Sequence, residues 1–157
     1  MRKIMILILT AIIPVVASAQ NNKKQIYTEY CGKEGVNAVY ISPAMFKLIK
    51  KVPDVNINDK EVNFSSFIQT MEGMYVLNTM DPEISSRLSA DVEKELKVSK
   101  HELLMEAVEG NKTTRIYMIE NDSIISDLVL LSKGDTSTSY ISITGQMPLE
   151  EVSKMIN

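Results

Sequence analysis

Apolar positions along the chain fall into three rhythms. From Ile4 to Val16 they run almost unbroken, interrupted only by Thr10 and Pro14. Between residues 36 and 100, short β-rich runs alternate with helical spacing. From His101 onward the period is that of strands. Val36 to Ile41 (VNAVYI) predicts a strand, and Ser42-Pro43 then starts a helix, with Ser as N-cap and Pro at the first helical position. Met45, Phe46 and Ile49 give this helix an apolar face, and it is expected to end near Lys51. Phe64, Phe67, Ile68 and Met71 share one face of a second helix, which Gly73 should stop. Met74 to Thr79 predicts a strand. Asp81-Pro82-Glu83 opens the longest helix, lined at four-residue spacing by Ile84, Leu88, Val92 and Leu96.

Four β-type segments follow: Glu102 to Val108, Thr114 to Glu120, Ile124 to Leu131 and Ser137 to Thr144. Short turns rich in Gly, Asn and Asp separate them, and consecutive short turns imply an antiparallel meander. Pro148 to Ile156 closes the chain with one more apolar helical face. The order β-α-α-β-α-β-β-β-β-α predicts an α+β domain, a meander sheet of about five to six strands with helices mainly packed on one face.

The first rhythm belongs to export rather than to the fold. Arg2 and Lys3 precede the apolar run and Ala17-Ser18-Ala19 follows it as a small-x-small cleavage site, so residues 1–19 read as a signal peptide. The run is too short for a membrane-spanning helix, which needs about 20 apolar residues. The product is expected to be periplasmic or secreted and not membrane-spanning after cleavage. Residues 20–35 read as a polar, partly ordered leader, and 36–157 as a single domain.

Composition narrows the chemistry. The signal removes two of the 17 basic residues and none of the 20 acidic ones, which leaves fifteen basic against twenty acidic, a net charge of −5. The lysines are scattered, so no nucleic-acid partner is expected. Cys31 is the only cysteine, which excludes an internal disulfide, and it reads as a small buried hydrophobe. His101 is the only histidine and reads as a surface residue at a strand start. Asp54 to Asp59 places oxygen ligands at positions one, three and five of a calcium loop, but Asp59 stands where the turn needs Gly and Ser65 where the site needs Glu. Met71, Met74 and Met80 read as core packing rather than Cu(I) ligands. Ser142 lacks the Gly-x-Ser-x-Gly elbow of a hydrolase nucleophile. No catalytic residue, metal site or cofactor is assigned.

The order and spacing of Gly35 to Ser42, Met45-Phe46, Gly73 to Leu77, Glu102 to Met105, Leu128 to Leu131 and Ile141 to Gly145 resemble the exported Bacteroidetes proteins grouped as domain of unknown function 4252. The resemblance implies a compact exported domain and, through relatives encoded near sigma-factor regulators, a tie to envelope signalling. It transfers no catalytic residue.

The functional expectation is therefore a non-catalytic binding or interaction domain of the bacterial envelope, with a small hydrolase using carboxylates alone as the alternative. Arg115 to Ile119 and Leu128 to Leu131 carry apolar residues on both sheet faces, more than a one-sided sheet requires. If Ile141 and Ile143 face the helices together with Ile116 and Met118, then Arg115, Tyr117, Ile119 and Tyr140 emerge on the other side as a contact surface. The register of 124–131 stays open, because one residue of slip exchanges Leu128 and Leu130 for Val129 and Leu131. A protein, a peptide, a lipid-like ligand, a second copy and the chain's own N-terminal segment are the candidate occupants.

Overall fold

The computed structural model describes residues 18–51 and 64–156. In chain order its elements are α1 (Ser18–Tyr30), β1 (Val36–Ile41), α2 (Pro43–Ile49), α3 (Phe64–Thr70), β2 (Met71–Thr79), α4 (Pro82–Val98), β3 (Glu102–Glu109), β4 (Lys112–Asn121), β5 (Ile124–Lys133), β6 (Thr138–Pro148) and α5 (Leu149–Ile156). The strands form one sheet in the order β1-β2-β6-β5-β4-β3, antiparallel throughout. The α+β class and the meander of β3 to β6 are those the sequence predicts.

Both proline-initiated helices start on side-chain caps. Ser42 Oγ accepts the Met45 N–H at 3.3 Å and Asp81 Oδ1 accepts the Ile84 N–H at 2.9 Å, which satisfies donors that a first turn leaves free. At its other end α4 closes in a Schellman arrangement. Lys100 takes a φ of 57°, its N–H reaches the Lys97 carbonyl at 3.4 Å, and the His101 N–H reaches the Leu96 carbonyl at 3.0 Å. That turn throws the chain back over the sheet and delivers His101 to the head of β3.

The structure places a helix, α1, in the stretch read as a leader. Its mean hydropathy is low, yet Lys23, Ile26, Tyr27 and Tyr30 recur at i, i+3, i+4 and i+7 and form one stripe against the sheet. Ile26 and Tyr30 are buried there with Leu77, Leu88, Val92, Leu96, Val129, Leu131 and Tyr140. The Tyr30 hydroxyl donates to Asp91 Oδ2 at 2.5 Å and ties α1 to α4.

A second core joins Phe46, Phe67, Met71, Ile125, Met147 and Val152, with Ile41, Met74, Met118, Leu128 and Ile143 packed against it. Neighbouring residues Leu128 and Val129 belong to different cores, as do Met118 and Tyr117, so the cores lie on opposite faces. The two long helices, α1 and α4, share one face, and the three short ones gather at one end of the other.

Gly73, expected to end a helix, instead lies inside β2 beside a bulge between Met71 and Gly73. Gly145 stands opposite that bulge, where an added Cβ would meet the Thr70 carbonyl oxygen and approach Met71 Cα to 3.0 Å. Only a residue without a side chain lets the two backbones come this close. Met71 thus begins the strand rather than ending the helix.

Candidate functional site

Two features carry chemistry, one buried and one open. The buried one begins at a bulge between Ile125 and Asp127 in β5. Two residues apart, these side chains would share a face in a regular strand. The extra residue re-aims the second, so Ile125 enters the core of the short helices while Asp127 points under α1 and α4. There Asp127 Oδ2 pairs with the Lys23 ammonium and lies 2.6 Å from His101 Nε2, with Lys23 and Asp127 each only 3% exposed.

His101 is thus not the surface residue expected from its local sequence. Its side chain is 1% exposed, and its partner lies 26 positions away across β4. His101 Nδ1 lies 2.7 Å from Ser99 Oγ, whose hydroxyl reaches the Glu95 carbonyl at 2.6 Å. The line Ser99, His101, Asp127 has the membership of a hydrolytic triad without its proton logic. The Ser99 hydroxyl donates to the Glu95 carbonyl, so the serine's single proton is drawn to that backbone acceptor in competition with His101 Nδ1. Burial closes the site further. These groups fasten α1 and the α4 terminus to the sheet.

Asp127 Oδ1, Glu95 Oε1 and Ser142 Oγ are buried without a protein hydrogen-bond partner among the described residues. Burial holds the phenols of Tyr30 and Tyr140 above the ordinary tyrosine value. The bond to Asp91 adds to this at Tyr30, and the Asp127 and Glu95 carboxylates add to it at Tyr140. A phenol that ionises less readily in the folded chain contributes stability that is whole below the unfolded value of about 10 and is lost as pH rises through the folded value. Denaturant titrations at stepped alkaline pH should therefore show stability falling above about pH 10, with a shallower fall for Tyr30→Phe. An identical slope in that variant would contradict the coupling.

The expected contact surface must be reassigned. Arg115, Tyr117, Ile119 and Tyr140 do share one face, as the alternation implied, but α1 and α4 cover it. Tyr140 is 2% exposed in the core, Tyr117 packs against that core, Ile119 is half-buried, and Arg115 pairs with Glu106 on β3 and with Glu93 on α4. With both faces apolar, alternation could not rank them, and the covering helix α1 was hidden by its polarity. Cys31 is exposed rather than buried, because it follows the last turn of α1. Of the three methionines read as core, Met71 and Met74 pack as expected while Met80 is exposed. Most of the calcium-like loop, Asp54 to Asp59 included, lies outside the described residues, and no cluster able to hold a metal occurs among the described ones.

The open feature is on the other face. Val39, Val76, Ile141, Leu130, Ile116 and Met105 are register partners in succession and form one aliphatic row across all six strands. All six are half-buried or exposed, and none joins either core. On one side the row meets the core of the short helices. On the other it meets Asn37, Asn78, Ser139, Ser132, Thr114 and Ala107. These two rows contain no charged residue in a chain that is 24% charged. Charge is a surface's usual defence against association, and it is missing here.

A family model described as Domain of unknown function (DUF4252) matches residues 27–155. The match spans β1 to β6, and with them both the buried network's His101 and Asp127 and the whole aliphatic row. No curated protein and no solved structure matches the chain.

Proposed function

The chain belongs to the DUF4252 family, and we propose that it is an exported, non-catalytic binding domain of the bacterial cell envelope that engages its partner through the open sheet face. One observation carries this reading: the uncharged aliphatic row from Val39 to Met105, half-buried or exposed throughout and outside both cores of the described residues. Apolar area of this kind is retained where a partner removes it from water. The buried His101 and Asp127 lack access, and the Ser99 hydroxyl beside them is bonded to a backbone carbonyl, so they do not support the hydrolase alternative. Export follows from the basic, apolar and small-residue succession of residues 1–19, and a tie to envelope signalling follows from the family resemblance alone.

The test is photo-crosslinking in cells, with a photoreactive side chain at Ile141 in the row or at exposed Arg87 on α4. Adducts specific to Ile141, in envelope protein whose N-terminus is Gln20, would support the proposal. Equal labelling at both positions, or envelope protein that retains Met1, would overturn it.

A further inference from the structure

The two edges of the sheet are unlike. β3 carries Glu102, Glu106 and Glu109 and a bulge between Leu103 and Met105, the devices that keep an edge strand from pairing with another chain. β1 has none of them: six residues, VNAVYI, without charge, proline or bulge. Its outer side pairs with no strand among the described residues. The exposed hydrophobics gather beside it. Among the described residues, Val39, Tyr40, Met45, Leu48 and Ile49, five of the nine large exposed hydrophobics, lie in β1 and α2.

We propose that a second copy of this chain pairs antiparallel with β1 about a two-fold axis through Val39, joining two six-stranded sheets into one. This goes beyond the binding reading and leaves it in place: the second copy takes the sheet edge and lengthens the open face without covering it. The axis follows from parity. Facing residues must point to the same side of the joined sheet, so a two-fold pairing centres on a residue and not between two. Centring on Val39 sets it beside its own copy, Ala38 beside Tyr40 of the partner subunit and Asn37 beside Ile41 of the partner subunit. The small Ala38 leaves room for the ring, which in its own chain stacks on Tyr75 at a centroid distance of 4.7 Å. The aliphatic row then runs unbroken through both copies. Centring on Ala38 would instead set Asn37 beside Val39 of the partner subunit and interrupt it. No charge in either strand opposes the approach, whereas like charges directly across a ladder are destabilising.

Sedimentation velocity and disulfide trapping of the mature chain test this. Wild type should sediment as a dimer. Val39→Lys alters a side chain that is already 50% exposed, so it should keep the melting temperature and raise the dimer dissociation constant by about tenfold or more. With Cys31→Ser as background, Val39→Cys should give a linked dimer on oxidation, and Val98→Cys, exposed on α4, should not. A monomeric wild type, a Val39→Lys dimer as tight as wild type, or linkage stronger at Ala38→Cys than at Val39→Cys would overturn the inference. A monomer that still gives adducts at Ile141 with a different protein would remove the second copy and leave the binding domain standing.

Discussion

Asp127→Ala is expected to destabilise the chain by about 3–5 kcal/mol, a loss of about 10–20 °C in melting temperature for a domain of this size. The substitution leaves the Lys23 ammonium and the His101 ring buried without the carboxylate between them. Their solvation is lost on folding whether or not the partner is present, so the cost appears when one member is removed rather than when the whole group is replaced. The double variant Lys23→Met with Asp127→Leu should recover most of the loss. Urea unfolding of Lys23→Met, Asp127→Leu and the double variant gives the coupling directly. An Asp127→Ala variant within about 1 kcal/mol of wild type would mean the network does not hold α1 in place.

That network also marks the limit of what the residues disclose in order. Strand runs, proline-led helix starts and the buried stripe of Leu88, Val92 and Leu96 were legible because each rests on neighbours within a few positions. Lys23, His101 and Asp127 are brought together by α1, by the Schellman turn after α4 and by a bulge in β5. None of these has a local period. The signal that could have revealed α1 was present in Lys23, Ile26, Tyr27 and Tyr30. One lysine, one isoleucine and two tyrosines at helical spacing are outweighed by a polar surrounding composition unless a partner for the lysine is already known. Gly73 misled for a related reason, since glycine serves helix ends and tight strand approaches alike, and only Gly145 across the ladder decides between them.

The choice of covered face can be settled with two adjacent residues. Tyr140→Ser is expected to cost about 3–5 kcal/mol, the range of aromatic truncation in a packed core. The ring is 2% exposed among Tyr30, Leu77, Leu88, Val92 and Leu131, and nothing nearby can close the void without moving α1 or α4. Ile141→Ser, one position on, removes more aliphatic character from a side chain that points to the open face, where it is only half-buried. Its loss should be near 1 kcal/mol, because little area leaves water there in the isolated chain. Hydropathy ranks the two the other way, since isoleucine is the more apolar residue and alternation had turned it toward the helices. Thermal and urea unfolding of both variants at low protein concentration decides the matter, because dilution keeps any partner contact at the row from adding to the Ile141 value. A larger loss at Ile141 than at Tyr140 would place the main core on the other side of the sheet and, with it, remove the open face as a binding surface.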